Sequence, residues 1–143
     1  MAKELPRKAL IAVSSFNGAI YPGGHKTGVF FVEALHPYEV LTAAGFEVDL
    51  ASETGTCGFD DKTVTGFTIE GELIFRILDK LRADGVVPVV EAVTAAGAFY
   101  SGSVGAFDDY SITSGRVVTG TNPASGRSAT ERGVKLFDNL ELP

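Results

Sequence analysis

A-L-I-A-V, residues 9–13, is the stretch whose reading decides the fold. It is wholly apolar, follows Lys3, Arg7 and Lys8, and stops at Ser14-Ser15. Five apolar residues without alternation suit a strand buried on both faces, as in a parallel sheet. Outward from it, residues 14–28 hold Gly, Asn and Pro and read as a loop. Residues 29–35 read as helical, and Pro37 stands where it can open a second helical segment ending at Gly45. F-E-V-D-L-A, residues 46–51, alternates as a strand does. The order β-loop-α-β opens a doubly wound α/β fold.

Further along, residues 53–62 (ETGTCGFDDK) form a polar connection and residues 64–68 are β-prone. Residues 70–81 place Leu73, Ile74, Ile77, Leu78 and Leu81 on one helical face, with Gly85 as the stop. Residues 89–96 read as a short helix capped by Gly97. Residues 110–113 and 116–119 flank Ser114-Gly115 as a hairpin. Ser125 is placed to cap a last helix running to about Phe137. One junction is irregular. Asp60-Asp61-Lys62 runs straight into Thr63-Val64-Thr65, whereas a parallel crossover needs at least about 10–12 residues and usually a helix. The order of elements looks cut there.

Composition narrows the class. The 143 residues carry 12 Lys+Arg against 18 Asp+Glu, a net charge of −6, with 45% hydrophobic and 21% charged residues. That supports one folded domain, residues 1–143, rather than disorder. The acidity, without a basic cluster, argues against nucleic acid or anionic lipid as partner. No apolar run approaches the roughly 18 residues of a membrane span, and the run at 9–13 is short for a signal-peptide core. One cysteine, Cys57, excludes an internal disulfide, and the expected location is cytoplasmic.

Candidate chemistry is sparse. The loop 18–28 (GAIYPGGHKTG) sits between a strand and a helix, but Gly24 and His25 intervene before Lys26-Thr27. The phosphate loop needs its lysine directly after the last glycine, so nucleotide binding is not expected. His25 and His36 are 11 apart, and no carboxylate joins them in a metal-ligand pattern, so no metal is expected. His36, before Pro37, reads as shaping a helix junction. Cys57 in T-C-G-F follows no apolar strand that would make a strained elbow, and reads as an ordinary loop cysteine. Two carboxylates stand out. Glu33 lies in V-F-F-V-E-A-L, where burial would raise its pKa, and Glu72 opens the 70–81 helix, where the dipole favours its ionised form. An exposed helix glutamate and a dipole partner are the plain alternatives.

Four phrases read together carry a resemblance: K-T-G-V-F-F-V-E-A-L-H-P (26–37), G-F-E-V-D-L-A-S-E-T-G (45–55), V-T-G-F-T-I-E-G-E (64–72) and F-D-D-Y-S-I-T-S-G-R-V-V-T-G-T-N-P-A-S (107–125). The chain strongly resembles the ThiJ/PfpI superfamily, in its fungal branch of heat-shock chaperones with glutathione-independent glyoxalase (glyoxalase III) activity. The resemblance implies a flavodoxin-like, class I glutamine amidotransferase-like three-layer α/β sandwich with a parallel sheet, commonly dimeric. It also implies conversion of methylglyoxal to lactate by a cysteine on a V-C-H-G-P elbow, without metal or organic cofactor. By motif, Glu33 matches the glutamate that contacts the thiol, and Glu72 the one that orients the following histidine.

The nucleophile has no match. No Cys-His pair occurs in the sequence, and the Gly-Gly-His-Gly loop of the family is absent. Both belong between the equivalents of Asp61 and Thr63, where only Lys62 stands, and Cys57 matches a loop before that point. The expectation is therefore a family frame internally shortened near residue 62, with an incomplete sheet and no aldehyde turnover. A small 2-oxoaldehyde is the implied substrate were the block present. The rival reading is a non-catalytic holdase for unfolded clients or an oligomerisation module. The interrupted sheet predicts a homo-oligomer.

Overall fold

The computed structural model describes residues 5–20, 23–61, 63, 85, 87, 89–105 and 107–140. Contacts divide the chain into two units: residues 1–65 with 103–143, and residues 66–102. The first unit opens with β1 (Lys8–Ala12), the two-residue antiparallel pair β2 (Gly18–Ala19) and β3 (Lys26–Thr27), α1 (Phe31–Ala43) and β4 (Glu47–Ala51). In the second unit, the described part holds α2 (Val89–Ala95), closed by Gly97 at φ 78°. The first unit ends with β5 (Ser111–Ser114), β6 (Val117–Gly120), a single 3-10 turn (Pro123–Ser125) and α3 (Gly126–Asp138). The expected strand at 64–68 and helix at 70–81 lie outside the described residues.

β1 and β4 pair in parallel, from Lys8 opposite Glu47 to Ala12 opposite Ala51. This is the β-α-β unit expected of a doubly wound sheet, with α1 packed on both strands and on α3. Burial of β1 on both faces is not what forms. Ala9 and Ile11 are half-buried, whereas Leu10 is 66% exposed and Ala12 is exposed too. Side chains alternate across a strand, so one face of the pair meets α1 and the other has no covering helix among the described residues.

The two helical segments expected around Pro37 are one helix. Pro37 lies inside α1, where it has no N–H to give the Glu33 carbonyl four residues back. The helix survives because its ends are well held. At its start the Phe30 side chain offers no cap, and the Thr63 hydroxyl accepts the Phe31 N–H at 3.3 Å instead. At its end Gly45 turns to φ 82°, with Gly45 N–H bonded to Thr42 O and Phe46 N–H to Leu41 O. Those two bonds make a Schellman stop.

The hairpin forms with a one-residue shift. Its two loop residues are Gly115 and Arg116, not Ser114 and Gly115, because the first must take positive φ and Gly115 does so at 58°. Ser125 does not cap the last helix. Asn122 caps the preceding turn through its Oδ1, and Ser125 is fully buried below it. The Ser125 hydroxyl accepts the Tyr110 N–H at 3.0 Å, which ties the turn to the foot of the hairpin.

The two parts of this unit meet at one aromatic seam. Phe46, 8% exposed, packs edge-on against Phe137 with ring centres 5.0 Å apart. The Arg7 guanidinium lies over both rings, donates to Ala44 O at 3.1 Å and pairs with Asp138. A second ion pair, Arg127 with Glu39 at 2.6 Å, joins α3 to α1.

Candidate functional site

In an open α/β sheet, ligands collect beyond the carboxyl ends of the strands. Here those ends face an apolar hollow of about 260 Å³. Val13 and Leu50 line it from the strands, Phe31, Leu35 and Tyr38 from α1, and Cys57 and Phe59 from the loop after β4. Phe31 and Phe59 meet edge to face at 5.5 Å. Cys57 is exposed at this hollow, and among the described residues no carboxylate or imidazole lines it. A thiol needs a base or a cationic neighbour to become a nucleophile, and an aldehyde adduct needs donors for its oxygen. The hollow supplies apolar contact and little else.

The loop bearing Cys57 is pinned beside the start of α1. Val29 N–H bonds to Gly58 O at 2.9 Å, and Asp60 N–H returns to Val29 O at 3.1 Å. Asn17 Nδ2 donates to Thr27 O and Phe59 O, both at 3.1 Å. Asp60, 5% exposed, accepts from the Thr27 hydroxyl at 3.0 Å. The Asp61 carboxylate takes the Lys26 N–H at 2.7 Å and lies 3.9 Å from His25 Nδ1. The segment where the sequence looks cut thus serves as a clasp: Asp60 and Asp61 hold β3, and Thr63 caps α1.

Glu33 sits in the first turn of α1 and is exposed. Partial desolvation still raises its carboxyl pKa above the usual carboxylate range. At 100° per residue it falls on the side of the helix away from Phe31, Leu35 and Tyr38, which face the hollow. The expected burial of Glu33 is therefore not found, and the structure does not bring it to Cys57. Glu72 lies outside the described residues. His36 is within α1 rather than at a junction, and its Nδ1 is buried without a hydrogen-bond partner. Among the described residues no three His, Cys, Asp or Glu side chains stand together as metal ligands, and no helix is long and apolar enough to cross a membrane.

Sequence reasoning missed the clasp and the seam. Asp60-Asp61 was visible only as an abrupt junction, and nothing in the spacing of Asn17 or Thr63 marks them as partners of a helix start. Arg7 read as a flanking base, with no local signal that it bridges α1 and α3.

No family model matches the chain. The glutathione-independent glyoxalase HSP31 of Saccharomyces cerevisiae is 27% identical over 235 positions, spanning 94% of this chain and 99% of that protein. Glyoxalase 3 of Candida albicans is 54% identical over 65 residues, 46% of this chain and 28% of its own length. A crystal structure of glyoxalase III from Candida albicans superposes with a TM-score of 0.77 at 24% identity, covering 91% of this chain and 97% of that one. The β-α-β unit and this superposition define a flavodoxin-like α/β protein. The curated relatives go one step further: the proteins this chain is similar to are glutathione-independent glyoxalases of the glyoxalase III kind.

Proposed function

We propose that this chain is a glyoxalase III-type frame, built for small 2-oxoaldehydes, that lacks the machinery to turn them over. The observation that carries the reading is the state of its one thiol. Cys57 is exposed on a loop, against an apolar hollow with neither carboxylate nor imidazole among its described lining residues, and Glu33 is on the far side of α1. Methylglyoxal turnover by such a frame begins with a thiolate adding to the aldehyde carbon, and then needs a base to move the proton. Among the described residues neither partner lines the hollow beside Cys57. A second support is length. An alignment of 235 positions with the yeast relative far exceeds the 143 residues of this chain, so much of that relative has no counterpart here. No residue between β4 and Asp61 is helical, so the chain reaches Asp60–Asp61 without a crossover helix, and this reading puts the shortening at that junction.

Methylglyoxal consumption by the purified protein is expected to match a heat-killed control. Cys57→Ser is expected to change nothing. Turnover above the control that Cys57→Ser abolishes would overturn the reading.

A second reading, a holdase without catalysis, draws on large apolar side chains exposed in the first unit, among them Leu10, Phe16, Ile20 and Leu50. Suppression of thermal aggregation of a client at equimolar ratio would support it; unchanged client scattering would remove it.

A further inference from the structure

We propose that Asn17-Gly18 is a deamidation site held in check by the clasp: the reaction proceeds from chains whose clasp has opened, and its product keeps the clasp from closing. Asparagine before glycine is the pair in which this reaction meets least obstruction, because no side chain shields the backbone nitrogen that attacks. The Gly18 nitrogen bonds to Asn17 Cγ, the Cγ–Nδ2 bond breaks, and the Gly18 proton leaves with Nδ2 as ammonia. Water then opens the cyclic imide at either carbonyl, giving aspartate or isoaspartate at position 17. Water is the one co-reactant, and Asn17 is exposed to it. The other two asparagines lack these conditions. Asn122 precedes Pro123, which has no N–H to lose. Asn139 precedes the bulky Leu140, and its Nδ2 donates to Lys135 O at 2.6 Å.

The clasp restrains the reaction by holding the amide. Asn17 Nδ2 donates to Thr27 O and to Phe59 O, both at 3.1 Å. The amide also fits between two glycines: a Cβ on Gly58 would stand 2.3 Å from Asn17 Cγ, and one on Gly28 2.9 Å from Nδ2. With Nδ2 engaged and Cγ wedged against Gly58, the side chain swings toward the Gly18 nitrogen only when that loop moves away. Gly18 is itself paired with Thr27 in β2–β3, so the attacking nitrogen is fixed by the same clasp. The product reverses the electrostatics. A carboxylate at position 17 has no proton to donate and faces the carbonyl oxygens of Thr27 and Phe59. It does so in a corner where the Asp60 and Asp61 carboxylates already hold β3. Isoaspartate also adds a methylene to the main chain beside β2, which shifts that pairing.

The test follows the tryptic peptide of residues 9–26, in which Asn17 is the one asparagine. Conversion is read from the mass gained when the amide NH2 becomes OH, and from labelling by an isoaspartyl methyltransferase. In mildly alkaline buffer the folded full chain is expected to convert Asn17 at least ~10-fold more slowly than the chain in urea, with Asn122 and Asn139 far behind in both. Gly58→Ala, which pushes the amide out of its place, should raise the folded rate toward the rate in urea. Asn17→Asp supplies the product directly and serves if Gly58→Ala misfolds. In it, amide hydrogen exchange is expected to quicken at Val29 and Asp60, whose N–H groups close the clasp, and to stay unchanged in the β5–β6 hairpin. Asn17→Ala, which loses the same bonds without adding a charge, should quicken exchange less. The proposal fails if Asn17 converts as fast folded as in urea, or in neither. It fails equally if folded Gly58→Ala converts as slowly as the wild type, or if Asn17→Asp leaves exchange at Val29 and Asp60 unchanged.

Discussion

The parallel pair β1–β4 and the hairpin β5–β6 are each two strands packed on a helix, yet they are finished in opposite ways. The hairpin is closed by short-range polar contacts: Gly115 makes the turn, Asn122 caps the next element, and a fully buried Ser125 holds Tyr110. Asn122 also donates to Asp108 O at 2.8 Å, and Arg132 Nε to the Ser111 hydroxyl at 2.9 Å. The parallel pair depends on distant partners. Its N-terminal strand has Leu10 in water and pairs with β4 alone among the described strands, and Leu50 is 61% exposed beside the hollow. A hairpin finds its neighbour within a few residues; a parallel strand finds its own across a long crossover. A unit closed by local contacts is therefore finished within its own segment, whereas a parallel pair depends on the rest of the sheet.

The seam at Phe46 is where the comparison breaks most visibly. Phe46 is one of the few buried apolar residues and links the β-α-β part to α3 through Phe137. Phe46→Ala is expected to cost about 3–5 kcal/mol by cavity formation and lost ring contact. Denaturant unfolding followed by far-ultraviolet dichroism and by tyrosine fluorescence should show both probes moving together. If the probes separate, the hairpin and α3 stand without the parallel pair, and the two parts are more independent than the seam implies.

A matched pair of glycines sharpens the same contrast. A Cβ on Gly120 would meet the Cβ of Ser125 at 2.7 Å, an atom fixed to a buried backbone. A Cβ on Gly18 would meet the Phe16 ring tip at 2.6 Å, but that ring is exposed and free to swing. Gly120→Ala is expected to destabilise by about 1–3 kcal/mol through overpacking. Gly18→Ala should be neutral, or gain up to about 1 kcal/mol from a less flexible unfolded chain. Equal losses in thermal midpoint would show that the open side is packed as tightly as the closed one.

Legibility in the sequence follows the same division. Periodicity located β1, β4, α2, the hairpin and α3, because each is a local pattern with a glycine or polar residue at its limit. The doubly wound α/β class followed from A-L-I-A-V and F-E-V-D-L-A in that order, and the flavodoxin-like form from the family resemblance. Where reading went astray, a distant contact had outweighed a local signal. Pro37 suggested a break, but a helix held by Thr63 at one end and Gly45 at the other tolerates it. Ser125 suggested a cap, but Asn122 sits one turn earlier and takes the role. The apolar run at 9–13 suggested two buried faces, a property of the whole sheet and not of one strand. For the site, the resemblance implies a Cys-His pair that the sequence does not contain, whereas the side of α1 on which Glu33 falls relative to Cys57 was not readable from motif spacing.

Glu33 gives the smallest expected effect and tests whether the open part keeps a working carboxylate. Its pKa is raised by desolvation in the folded chain, so the folded state holds its proton to higher pH than the unfolded state does. Below the unfolded pKa both states are protonated and the full contribution to stability is present. As pH rises the unfolded chain ionises first, and the contribution is lost through the folded pKa. At neutral pH the wild type therefore carries a penalty that Glu33→Gln lacks, offset in part by the favourable placing of a negative charge in the first helical turn. Exposure keeps the difference small: the variant should melt at the same temperature or about 1–2 °C higher at pH 7, with the gap closing near pH 3. A wild type that is the more stable at pH 7, with its advantage vanishing in acid, would mean that the ionised Glu33 has a stabilising partner. The carboxylate would then still be serving the site from the far side of α1.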